Sequence, residues 1–182
     1  MIRALILPFV LVLGIFASGP CARSGESPAQ AFFGHYDGKA ILVDDGETTM
    51  RDLAVTIEPS SEGFSVGWTT VSKTKDGKEK RKTYVIAFEP SVRPGIFRSA
   101  MRTDLFGNRV PHDPMKGEPY VWCRINGRTL SLYALVIDDD GGYDLQVYDR
   151  TLTDDGLDLH FTRLHEGEPP KVLKATLQKT AR

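Results

Sequence analysis

The chain has 182 residues, 41% hydrophobic and 26% charged, an ordinary globular composition with room for one domain. A formal charge of −1 offers no field to attract nucleic acid or an anionic membrane surface. The densest basic run, Lys78-Glu79-Lys80-Arg81-Lys82, reads as the solvated tip of a hairpin.

The first residues form a targeting segment. Arg3 supplies a positive charge, and residues 4–17 are an apolar stretch interrupted only by Pro8 and Gly14. That stretch is too short to span a bilayer, for which about 20 residues are needed, and it suits the apolar core of an export signal. The expected location is therefore periplasmic or secreted. Ala29-Gln30-Ala31 is a small-x-small cleavage site that divides the chain into a leader, 1–31, and a single domain, 32–182; a cut near Ala22 is the alternative. Lipidation at Cys21 is a third route and the only one that attaches the protein to a membrane, although Pro20 makes a poor lipobox. Either cut leaves Cys123 as the one remaining cysteine, so stability must come from an apolar core instead of a disulfide. Cys123 sits in a strand-like run and reads as a small buried hydrophobe.

Six Asp-Gly or Asn-Gly pairs punctuate the chain: Asp37-Gly38, Asp45-Gly46, Asp76-Gly77, Asn126-Gly127, Asp140-Gly141 and Asp155-Gly156. Such pairs favour two-residue hairpin turns, because Asp and Asn tolerate positive φ and Gly carries no steric cost there. All but the first separate strand-like runs. In chain order these runs are 33–43, 50–58, 64–70, 84–88, 96–103, 120–125, 130–137, 143–150, 157–163 and 172–178. Leu53, Val55 and Ile57 in the second, and Phe64, Val66 and Trp68 in the third, show the period of two expected of half-buried strands. No window shows a sustained 3.6-residue apolar period, so no major helix is expected. The fold class is all-β, an antiparallel up-and-down meander of about 8–10 strands. Closing it into a barrel hides its edges. Residues 104–119 form a long connection, placed to cover a barrel mouth.

The opening Phe32-Phe33-Gly34-His35-Tyr36-Asp37-Gly38 resembles the first-strand signature of the lipocalin and fatty-acid-binding (calycin) group. In that group a Gly, a spacer and an aromatic plug the closed end, and an Arg from a late strand packs over the aromatic. The resemblance implies that Tyr36 and Arg163 are this pair. Tyr stands where the group has Trp, and the disulfides common in its secreted members are missing. The chain is also similar to small secreted bacterial β-proteins, a likeness that implies no activity.

Chemistry is sparse. Asp138-Asp139-Asp140-Gly141-Gly142-Tyr143-Asp144 lacks the spacing of a calcium loop and reads as a hairpin tip. The four histidines, His35, His112, His160 and His165, form no metal-ligand pattern, so no metal or cofactor is expected. No nucleophile, base and orienting group can be assembled by spacing, which places an enzyme behind other readings. The candidate ligand groups are Arg98, Arg102 and Arg124, with Tyr120 and Trp122 as walls: if these faces point inward, guanidinium groups meet beside aromatics and suit an anionic head group. The alternative is that Phe97 and Met101, with Val121, Cys123 and Ile125, point inward instead. The expected function is binding of an apolar or amphipathic small molecule, with a ligand-free structural or protein-interaction module of the envelope as the rival.

Overall fold

The computed structural model describes residues 27–181 except 45–46, 74–76, 104–105 and 107. Twelve strands follow in chain order: β1 (Gly34–Asp44), β2 (Glu47–Ser60), β3 (Gly63–Lys73), β4 (Glu79–Pro90), β5 (Ile96–Ser99), β6 (Arg102–Thr103), β7 (Arg109–Val110), β8 (Tyr120–Asn126), β9 (Thr129–Ile137), β10 (Tyr143–Leu152), β11 (Gly156–His165) and β12 (Lys171–Thr180). Ten of them close into an antiparallel barrel in the order β1-β12-β11-β10-β9-β8-β5-β4-β3-β2, while β6 and β7 form a separate two-stranded sheet. The only helical elements among the described residues are 3-10 turns at Gln30–Phe32 and Pro114–Lys116.

Each wall neighbour follows its predecessor in the chain apart from the excursion between β5 and β8, and β1 closes on β12 through His35↔Thr180 to Gly38↔Leu177. The pleat then sets which side chains face inward. Of the turn pairs, Asn126-Gly127 is shifted by one: Asn126 pairs with Thr129, and Gly127, at φ +56°, turns the chain with Arg128. Gly156 is needed for packing instead of turning, since a Cβ there would lie 2.0 Å from the Leu177 carbonyl oxygen. Asp37-Gly38 lies within β1, and Asp45-Gly46 and Asp76 lie outside the described residues.

One end of the barrel is solid. Phe32, Tyr36, Ile57, Phe64, Val66, Phe88, Leu130, Leu157 and Leu177 are fully buried there. Phe64 stacks on Phe88 at 5.4 Å and meets Phe97 edge-on at 5.0 Å. Burying each such ring stabilises the fold by about 1.5–3 kcal/mol. The Gln30–Phe32 turn plugs this end, and the Tyr36 hydroxyl, which burial pushes above its usual range, donates to the Phe32 carbonyl at 2.7 Å. Ala29 is also completely buried, so the folded unit includes residues upstream of Phe32.

The other end is open. The wall is lowest where β5 pairs only Phe88, Glu89 and Pro90 of β4, leaving β4 from Glu79 to Ile86 paired on its β3 side alone among the described residues. The expected fifth strand, 96–103, stops at Ser99, and Arg102–Thr103 pairs instead with Arg109–Val110. Among its described residues, the long connection is tied to the outer wall and not to the mouth. Arg109 binds Glu62 at 3.0 Å in the β2–β3 reversal and also Glu89, which fastens the excursion to the outer wall. Burial pushes the Glu89 carboxyl up, but its hydrogen bond with Glu62 and the charges of Arg109 and Arg98 outweigh that and hold it below the usual carboxylate range.

Candidate functional site

The inward face of β10 is its polar face. Asp144, Gln146, Tyr148 and Arg150 alternate with the outward Leu145, Val147 and Asp149, a parity fixed by the pairing of Arg150 with the buried Leu130 and Leu159. The four side chains form a ladder from mouth to floor. Gln146 Nε2 donates to Asp144 Oδ2 at 3.4 Å, the Tyr148 hydroxyl donates to Gln146 Oε1 at 2.8 Å, and Arg150 reaches the Tyr148 carbonyl at 3.5 Å. At the mouth Arg163, from β11, binds Asp144 Oδ2 through Nε at 2.9 Å.

Aromatic rings surround the ladder. Tyr148 lies 4.7 Å from Phe161 and 5.4 Å from Trp68, which stacks on Tyr84 at 5.3 Å. Trp68, Tyr148 and Phe161 are half-buried and Tyr84 is exposed at the rim, so these inward side chains line a cup reached from solvent.

Arg150 forms the floor. It is 1% exposed, and its guanidinium lies over the rings of Tyr148 (5.4 Å) and Trp68 (5.7 Å). Its Nε has no hydrogen-bond partner, and among the described residues no carboxylate is within ion-pair distance. Burial pulls its pKa down to about 10, partly offset by Tyr148, Cys123 and Asp149, so it remains a cation at neutral pH. Burial pushes the Tyr148 hydroxyl and the Cys123 thiol each up to about 12, against the pull of the Arg150 charge. Cys123 is fully buried, a packing residue with a thiol held neutral. Arg51, on the inward parity of β2 with Leu53 and Val55, has a second buried and unpartnered Nε.

The arginines singled out in the sequence lie elsewhere. Phe97, Val121, Cys123 and Ile125 take the inward positions, which turns Arg98, Arg124, Tyr120 and Trp122 to the outer wall. Arg98 binds Glu89 at 3.3 Å, and Arg102, beyond the end of β5, binds Glu118 at 3.2 Å. Tyr120 and Trp122 join Tyr133 in an outer aromatic ladder, with Trp122 stacked on Tyr133 at 4.8 Å and 7°. Both faces of β8 carry large apolar or aromatic side chains, but Val121, Cys123 and Ile125 form the wholly apolar one, and the wall's closure turns it inward.

Tyr36 and Arg163 are not partners. Tyr36 pairs with Lys179 of β12, whereas Arg163 pairs with Lys171, eight residues away along the same strand. They stand at opposite ends of the barrel, about 26 Å apart at strand rise. The cation over the Tyr36 ring is Lys179, at 5.7 Å.

Two hollows lie on the outside of the barrel. They adjoin each other, hold about 570 and 330 Å³, and follow the outer face of β1–β4 beside Asp37, Ala54, Thr69 and Arg81; their polar, mixed-charge lining does not suit an apolar ligand. No three metal-ligating side chains gather among the described residues, and the Asp138–Asp140 region is a reversal in which the Gly142 amide donates to Asp140 Oδ1 at 3.2 Å.

Fold and site together define a closed ten-stranded antiparallel meander with a basic, aromatic-lined cup. Comparison with protein-family models, curated proteins and solved structures finds no match to this chain.

Proposed function

We propose that this is an exported β-barrel that binds an amphipathic anionic small molecule. The acid group seats on Arg150, and the apolar body lies among Trp68, Tyr84, Tyr148 and Phe161. The observation that carries this reading is the uncompensated burial of Arg150. A buried cation costs several kcal/mol unless it is paired, and its only aids here are two aromatic faces and one long hydrogen bond. A carboxylate, sulfate or phosphate head group supplies the missing charge and accepts from the fork bidentately. Trp68 and Tyr148 lie over the guanidinium, so binding parts these rings.

Titration of the protein with fatty acids, retinoids and tetrapyrroles, read by Trp68 emission in a Trp122→Phe background, tests the reading. Saturable binding that Arg150→Met abolishes is the expected result. Absence of binding across the panel, together with native mass spectra free of any co-purifying small molecule, would return the protein to a structural or protein-interaction module of the envelope, a role suited to its solid lower half.

Export belongs to the same reading. Residues 1–26, including Cys21, lie outside the described residues. The packing of Ala29 into the core favours a cut near Ala22 over one before Phe32. An intact mass on the native protein beginning at Met1 would refute export by cleavage.

A further inference from the structure

The cup holds a second buried polar atom without a partner. Asp144 is an inward carboxylate whose side chain is 13% exposed. Arg163 and Gln146 both donate to its Oδ2, while Oδ1 is buried and accepts nothing. An ionised oxygen removed from water without a donor is costly. Asp144 and Arg150 stand at the two ends of one ladder, six residues apart on the same face of β10, which is about 20 Å along the strand, shortened by the reach of Arg150 towards Tyr148.

Resting on the binding reading above, we propose that Asp144 selects for a hydroxyl at the far end of the ligand, so that the ligand class is a long-chain hydroxy acid and not a simple fatty acid. The acid sits on Arg150, the chain runs past Tyr148 and Phe161, and the terminal hydroxyl donates to Asp144 Oδ1. A neutral donor fits better than an ammonium group, because Arg163 already balances the charge of Asp144 and would repel a second cation bound beside it.

Titration of the full chain with palmitate, ω-hydroxypalmitate and ω-methoxypalmitate, and with the matching laurate and myristate sets, decides the matter. For at least one chain length the hydroxy acid should bind about tenfold more tightly than its parent, the size of one hydrogen bond to a charged acceptor. The methoxy analogue, which cannot donate, should lose that gain. Asp144→Val should equalise the hydroxy acid and its parent. The methoxy comparison is made on the unaltered protein and holds even if the variant fails to fold. Equal binding of parent and hydroxy acids at every length would overturn this inference and leave the Arg150 reading standing. No binding of any of the acids would overturn this inference, and failure of the retinoids and tetrapyrroles as well would overturn the Arg150 reading with it.

Discussion

The guanidinium of Arg150 on β10 lies 5.7 Å from the centre of the Trp68 ring on β3, although the two strands stand five places apart whichever way the wall is followed. One arginine therefore spans the barrel. The contact ties opposite walls together through a cation over a ring face, worth about 2 kcal/mol when desolvated, and sets it against the cost of keeping that cation out of water.

That balance predicts a stability–function trade-off. Arg150→Met keeps most of the volume and removes the buried charge, so the variant should be as stable as the parent or up to about 2 kcal/mol more stable. Thermal or urea unfolding measures this. A strongly destabilised Arg150→Met would mean that the charge is structurally required.

The plugged end makes a separate prediction. Tyr36→Phe removes the 2.7 Å bond to the Phe32 carbonyl and should cost about 1 kcal/mol. Arg163→Ala acts at the mouth by releasing Asp144. In a double-mutant cycle the two changes should add within about 0.5 kcal/mol, since neither side chain shares a partner with the other. A larger coupling would contradict their placement at opposite ends.

Cys123 should be chemically silent. Its thiol is buried and titrates near 12, so a thiol reagent at pH 8 should modify it only in denaturant. The same shift has a stability consequence. A group whose folded pKa is raised contributes stability below its unfolded value, and that stability is lost as pH rises through the folded value. For Cys123 and Tyr148 the window runs from 9.0 and 10.0 respectively to about 12. Unfolding midpoints should therefore fall across this alkaline range, and Cys123→Ala should lessen the fall.

Glu89 works in the opposite direction. Its folded pKa is held below the usual carboxylate value of 4.5, so the carboxylate stabilises the protein above that value, and the effect is lost as pH drops through the folded pKa. Acid should release the Arg109 strap that binds Glu89 and Glu62. Limited proteolysis between residues 100 and 119 should accelerate as pH falls below 4.5 through the folded pKa of Glu89, and Glu89→Gln should be cut readily at neutral pH. Equal cutting of both proteins at every pH would disprove the strap.

What the sequence by itself determined was the ladder. Period-two runs such as Leu53-Val55-Ile57, broken by Gly-bearing reversals, depend only on local backbone geometry and side-chain alternation, and they specify an antiparallel meander that must close to protect its edges. Local pattern also carried Cys123 into the core. The site was decided by tertiary structure, because alternation divides a strand into two faces without saying which is inside. On β5 and β8 both faces carry large apolar or aromatic side chains, so the pattern left Arg98 and Arg124 open to either side until the register of Phe97 with Cys123 turned them out. On β10 the usual rule inverts: Leu145 and Val147 face outward while Asp144, Gln146, Tyr148 and Arg150 face the interior. Only the neighbours' register, Leu130 and Leu159 flanking Arg150, forces a charged side chain to the centre of the barrel, where Trp68 comes within reach from the far wall.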